Sequence, residues 1–198
     1  VGGPWYSMGV TAGDYNNDGY PDLFVSNYGT NVLYKNNGNG TFTDVTKRAK
    51  VGGGENQFSV GAVWLDYDND GFLDLYAGNY LNFDPNYKYF YAPDGFPGPL
   101  AYDAQPDVLY RNNGDGTFED VTKKAGVGGP WYTMGVTSGD FNNDGYPDLF
   151  ISNYGFNVLY KNNGNGTFTD VTKRAGVEGG ENDFSVGAVW LDYDNDSF

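Results

Sequence analysis

The sequence contains no cysteine and no histidine. Disulfides, thiolate nucleophiles, Cys/His zinc sites and mechanisms built on Ser-His-Asp or Cys-His arrangements are thereby excluded. Basic residues are scarce, 11 Lys and Arg against 26 Asp and Glu, which leaves a formal charge of −15 on 198 residues. A chain that acidic repels phosphate backbones, so nucleic acid is not an expected partner. No run of about 18 apolar residues occurs, so no membrane span is expected. Val1 opens directly into repeat-like sequence, and no leader peptide is expected within it. Glutamate is rare as well: Glu55, Glu119, Glu178 and Glu181 are the full set, and none forms a recognisable acid/base pair. In contrast, glycine (31 residues) and aromatic side chains (18%) are plentiful. Disordered chains are poor in aromatics, so many short strands joined by glycine turns are the better expectation.

The chain repeats itself at two scales. Residues 1–72 superpose on 127–198 with nine differences: Ser7/Thr133, Ala12/Ser138, Tyr15/Phe141, Val25/Ile151, Thr30/Phe156, Lys50/Gly176, Gly52/Glu178, Gln57/Asp183 and Gly71/Ser197. Within that period lies a shorter one. Residues 1–50, 51–126 and 127–176 each run through a glycine-rich opening, an apolar run, an Asp/Asn loop, a second apolar run, a VLY run, an Asn-Gly or Asp-Gly turn and a TF-DVT run. A fourth unit, 177–198, ends inside its Asp/Asn loop. The apolar runs, typified by 60–65, 73–80, 108–110 and 117–121, are short, rich in Val, Leu and aromatics, and bounded by Gly, Asn and Asp. No segment of ten or more residues has a 3.6-residue period. Four strands per unit predict an all-β fold of β-propeller blades, with a solenoid of β-hairpins as the competing architecture.

The sharpest signal is the Asp/Asn loop. Its copies place oxygen donors at positions 1, 3, 5 and 9 and glycine at position 6: Asp14, Asn16, Asp18, Asp22; Asp66, Asp68, Asp70, Asp74; Asp140, Asn142, Asp144, Asp148. The fourth copy retains Asp192, Asp194 and Asp196, with serine in place of glycine and no position 9. A hard cation such as Ca²⁺ takes six to eight oxygen ligands, and alternate residues of a tight loop converge on one point. The backbone carbonyl at position 7 (Tyr20, Phe72 or Tyr146) can add a ligand. An EF-hand requires glutamate at position 12, where this chain has Val25, Ala77 or Ile151. The alternative is a plain Asx-turn between strands, which favours the same residues. Three complete copies with identical spacing, holding 10 of the 26 acids, argue against it; the truncated copy adds three more.

The stretch GDYNNDGYPDLFVSNYGTNVLYKNNGNGTFTDVT (13–46) resembles an FG-GAP repeat, also called VCBS-type, as found in integrin α-subunit propellers and many bacterial secreted proteins. AVWLDYDNDGFLDLYAGNY (62–80), followed by an insert and VLYRNNGDGTFEDVT (108–122), is similar to the propellers of the ASPIC/UnbV group. The resemblance covers essentially the whole chain. It implies blades that hold Ca²⁺ between strands 1 and 2, with the side chains named above as ligands and the carbonyls of Tyr20, Phe72 and Tyr146 completing each set.

Residues 81–107 form an insert dense in Tyr, Phe and Pro, where the first unit has only 29–31. Its aromatics either cover a neighbouring blade edge or line a ligand site. Strand alternation puts the metal loop and the 3–4 turn on one face, and the insert with Trp5 and Trp131 on the other. The expectation for function is an extracellular, calcium-stabilised, non-enzymatic repeat module with a structural, adhesion or assembly role. A lectin-like propeller that binds a glycan or protein on the insert face is the alternative, and a polysaccharide-active enzyme the more distant one. About thirteen strands are too few for the 4–8 four-stranded blades of a closed propeller. Continuation in a longer array, or self-assembly into a ring or filament, is therefore expected, with 186–191 as an unpaired strand.

Overall fold

The computed structural model describes residues 6–84, 98–192 and 194. They form three four-stranded antiparallel meanders. The first comprises β1 (Tyr6–Gly13), β2 (Asp22–Tyr28), β3 (Val32–Asn36) and β4 (Phe42–Asp44). The second comprises β5 (Ser59–Leu65), β6 (Asp74–Asn79), β7 (Val108–Asn112) and β8 (Phe118–Asp120). The third comprises β9 (Thr133–Gly139), β10 (Asp148–Asn153), β11 (Val158–Asn162) and β12 (Phe168–Asp170). The sheets hydrogen-bond in sequence order, so each is a self-contained propeller-like blade.

The apolar cores lie between blades. One cluster joins Phe24 and Leu33 of the first blade to Trp64, Leu75 and Tyr110 of the second; another joins Tyr76 and Leu109 of the second to Leu149, Ile151 and Tyr160 of the third. Face-to-face packing of whole sheets is propeller packing, and it decides against a solenoid of separate hairpins. The contact between the first and second blades turns on one tryptophan and one glycine. A Cβ at Gly13 would stand 2.7 Å from Trp64 Cδ1, so only glycine lets the indole of the next blade lie on the β1 backbone. Trp64 meets Tyr15 at 6.2 Å and 12°, and Phe24 at 6.4 Å and 80°. Trp190 repeats the pattern against Phe141 (6.2 Å, 10°) and Phe150 (6.4 Å, 83°).

Two features depart from the sequence reading. Each TF-DVT run ends in one helical turn: α1 (Thr46–Ala49), α2 (Thr122–Ala125) and α3 (Thr172–Ala175). The cause is local. Asp44 Oδ1 accepts from both the amide and the hydroxyl of Thr46, and the same Thr46 hydroxyl accepts from Leu33 N. Asp120 with Thr122 and Asp170 with Thr172 do likewise. Residues 186–191 form no strand. They run against β9, where Val186 O lies 2.7 Å from the Cβ position of Gly135, but no ladder partner flanks them among the described residues. Packing alone does not make a strand, because the backbone groups need a hydrogen-bonding edge.

Register separates the two ends of each blade. Gly13 pairs with Asp22 at one end of β1–β2, and Tyr6 with Tyr28 at the other. The Asp/Asn loops and the 3–4 turns lie at the first end, and an aromatic ladder lies at the second. Tyr28, Phe58, Tyr80, Tyr132, Tyr154 and Phe184 contact one another in succession at 5.1–6.5 Å. The described parts of the insert pack on this ladder: Phe83 lies 6.0 Å from Tyr28 of the first blade, and Tyr132 of the third donates to Tyr102 O. These rings cover neighbouring blades, as one of the two readings of the insert expected. Residues 85–97 and Trp5 lie outside the described residues.

Candidate metal centres

Each loop leaves its first strand with an aspartate that closes the turn. Asp14 Oδ1 accepts from Asp18 N and Oδ2 from Gly19 N, at 3.1 and 2.8 Å. Asp66 and Asp140 repeat both bonds within 0.1 Å. Position 5 then receives the amide of position 7: Tyr20 N donates to Asp18, Phe72 N to Asp70 and Tyr146 N to Asp144. Position 6 sits at φ of +86°, +87° and +85° in Gly19, Gly71 and Gly145, a left-handed turn that a side chain would strain. The position-7 rings fold over the 3–4 turn, with Tyr20, Phe72 and Tyr146 against Gly38, Gly114 and Gly164.

Position 9 begins the second strand and is fully buried in all three loops: Asp22, Asp74 and Asp148 are each 0% exposed. One carboxylate oxygen accepts from the backbone of strand 3, from Asn36 N (2.7 Å), Asn112 N (2.8 Å) or Asn162 N (2.7 Å). Burial raises their pKa to about 6, 7 and 6, because desolvation outweighs these bonds and the loop carboxylates add repulsion. A buried carboxylate held in this way is short of positive charge.

The loops differ at position 3. Asn16 Nδ2 donates to Asp22 Oδ2 at 3.0 Å, and Asn142 Nδ2 to Asp148 Oδ2 at 3.3 Å. The second loop has Asp68, and one of its carboxylate oxygens lies within 4.8 Å of one oxygen each of Asp66 and Asp74. Asp68 Oδ1 is buried with no hydrogen-bond partner. Three converging carboxylates and an orphaned buried oxygen fit a hard cation of the Ca²⁺ type. In the flanking loops the same fit requires the Asn16 and Asn142 amides to turn their oxygens inward. Of the fourth copy, Asp192 and Asp194 are exposed and join no third carboxylate among the described residues, and Asp196 lies outside them.

The structure adds residues that loop spacing did not reveal. Strand 3 of every blade sends a cation to position 5: Lys35 to Asp18, Lys161 to Asp144 (2.6 Å), and Arg111 to Asp70 (2.8 Å) and Asp68 (2.6 Å). The signal was available, since each VLY run is followed by Lys or Arg in a chain with only 11 such residues. Arg replaces Lys where position 3 carries a second charge, as its forked donors allow. Neighbouring loops are also tied together. Asn17 Nδ2 donates to Gly71 O and Asn69 Nδ2 to Gly145 O, at 2.8 and 3.0 Å. At the 3–4 turns, the Asn39 and Asn165 side-chain oxygens accept from Thr41 and Thr167, so these Asn-Gly-Thr triplets have a turn-forming role.

Comparison with known proteins identifies the repeat. A family model described as FG-GAP-like repeat matches residues 14–77, 94–151 and 140–198. The chain is similar to Cartilage acidic protein 1 of Xenopus tropicalis, 29% identical over 147 residues that make up 73% of the chain and 19% of that protein. The Mus musculus protein of the same name is 28% identical over 146 residues, with the same coverage. The Homo sapiens one is 44% identical over 50 residues, 25% of the chain and 8% of that protein. The chain thus spans about one fifth of the Xenopus and mouse relatives.

Proposed function

The chain belongs to the FG-GAP-like repeat family, and from that premise we propose that it is an extracellular, calcium-stabilised repeat module with a structural or assembly role and no catalytic one. The observation that carries this reading is the buried position-9 carboxylate of each loop, fixed by backbone amides and flanked by the carboxylates of positions 1 and 5. A cation held by Asp14, Asn16, Asp18 and Asp22, and by the corresponding residues of the other loops, would supply the missing positive charge and cross-link strands 1 and 2. The loop carboxylates serve turn closure and ion pairing, which suits a stabilising ion. Extracellular modules bind calcium at about 10⁻⁴–10⁻³ M. The relatives, whose name points to cartilage, and the acidity of this chain support the same location. The deciding experiment is thermal unfolding with and without a calcium chelator.

Arg111 tests the site from the other side. It occupies the two carboxylates that a cation in the second loop would need. Arg111→Gln should raise the calcium affinity of that loop by roughly three- to tenfold, as expected for one removed competing charge. Isothermal titration of the variant and the parent chain checks this, and an unchanged or weaker affinity counts against it.

The assembly role rests on β1. Its outward face exposes Tyr6, Met8 and Val10 at 74%, 50% and 68%. The corresponding face of β9 is covered: Val136 packs into the core shared by the second and third blades, against Gly78. The β1 face therefore matches another blade of this kind, in a longer array or in a second copy. Sedimentation of the 198-residue chain should show concentration-dependent association that Val10→Lys abolishes.

A further inference from the structure

The largest divergence between the two near-identical copies falls on one cleft. Beside α3 the third blade carries a cavity of about 580 Å³ lined by Trp131, Phe156, Asp170, Lys173, Arg174 and Glu178. The first blade has a smaller one of about 390 Å³ in the same place, bordered by Thr30, Lys50 and Gly52. Of the nine differences between residues 1–72 and 127–198, three lie at this position: Thr30/Phe156, Lys50/Gly176 and Gly52/Glu178. Together they add a phenyl ring, remove a cation and add an acid, and none of the other six differences falls on a residue that lines the cleft.

We propose that the Trp131–Phe156 cleft of the third blade binds a neutral saccharide. This role goes beyond that of the calcium-stabilised module and does not depend on it, because the Asp/Asn loops lie at the other end of the strands. A pyranose ring offers a C–H face and a rim of hydroxyls. Trp131 and Phe156 supply π faces for the first. Asp170, through the oxygen that Thr172 leaves free, and Glu178 accept hydrogen bonds from hydroxyls, and Lys173 and Arg174 donate to hydroxyl oxygens. Two acids and two bases balance, so a charged ligand gains no net attraction whereas a neutral polyol can use all four. The four ion pairs found among the described residues engage neither Lys173 nor Arg174. The volume is ordinary for a small-molecule site.

The platform is set in advance. Trp131 Nε1 donates to the Tyr160 hydroxyl at 3.3 Å. Its ring lies on Gly129, where a Cβ would stand 2.5 Å from Trp131 Cε2. A ring already fixed loses little freedom on binding, which favours affinity. Phe156, 49% exposed, completes the cleft without contributing to the blade cores.

The test uses the whole chain in calcium on an array of immobilised neutral, uronate-bearing and sulfated oligosaccharides, followed by titration of the strongest neutral binder with indole fluorescence as readout. Phe156→Thr restores the residue of the first blade and should leave the melting temperature unchanged while weakening binding by about tenfold. Gly129→Val, which displaces the indole, should weaken it at least as much. Failure to bind any neutral oligosaccharide, binding of acidic ones alone, or undiminished binding by Phe156→Thr would each overturn the proposal.

Discussion

In excess EGTA the chain is expected to melt far below its melting temperature in millimolar calcium. With dissociation constants of about 10⁻⁴ M and about 5 mM free calcium, mass action stabilises the folded state by about 2.3 kcal/mol per loop. Three complete loops then contribute about 7 kcal/mol. At roughly 2–4 °C per kcal/mol for a chain of this size, the melting temperature should move by about 15 °C or more. The loops explain why the apo form suffers. Asp22, Asp74 and Asp148 are buried carboxylates beside other carboxylates, and the chain's own relief is a single Lys or Arg at each position 5. Asp70→Ala should remove about one third of the calcium-dependent part and leave the rest, because the other loops keep their donors. Superimposable melting curves with and without EGTA would refute the calcium reading.

Asp107→Asn should stabilise the protein at pH 8 and do little at pH 4. Asp107 is 0% exposed, between the second and third blades. It accepts from Asn79 N (2.7 Å), Tyr76 Oη (2.9 Å) and Thr133 Oγ1 (3.0 Å), with no cation among these partners. Desolvation raises its pKa from 3.8 to about 7 despite those three bonds. The folded state therefore holds a proton that the unfolded chain releases near pH 4, and stability falls as pH rises from about 4 to 7. The full cost above pH 7 is about 4 kcal/mol. The other blades avoid it with Asn31 and Asn157 at the same position. Asn31 accepts from Asn27 N and donates to Ser59 Oγ, and an asparagine at 107 can make the same pair of bonds with Asn79 N and Thr133 Oγ1. After allowance for the weaker bonds of a neutral amide, a gain of about 2 kcal/mol is expected, or about 4–8 °C at pH 8. Paired melts of variant and parent at pH 4 and pH 8 check both sign and window. A variant that melts lower at pH 8 would show that the charge is better served there than its burial indicates.

The residues of the loops and strands were legible because their causes are local. Alternate oxygens around Gly19, Gly71 and Gly145 announce the tight Asp/Asn loop of a candidate cation site, and short runs of Val, Leu and aromatics between Gly, Asn and Asp announce strands. Even the opposition of loop face and insert face followed from strand alternation. The one-turn helices were less visible, since an Asp-Val-Thr triplet must be seen accepting and donating at once to be read as the start of a helical turn. Residues 186–191 have a strand's composition, yet form none where no edge pairs with them among the described residues.

The sequence by itself determined the repeat, the four-stranded unit, the positions of the candidate ligands and the exclusion of cysteine and histidine chemistry, all properties of neighbours along the chain. Only the tertiary structure decided which groups lose water and which find partners far along the chain. It buried Asp22, Asp74, Asp148 and Asp107 and so raised their pKa values. It brought Arg111 across 41 residues to Asp70, and tied Asn17 and Asn69 to the next loop in the array. It also made a cleft of Trp131 and Phe156, which stand 25 positions apart. Solvation and long-range charge depend on what packs above a residue, which is decided by how strands and blades come together and not by neighbours along the chain.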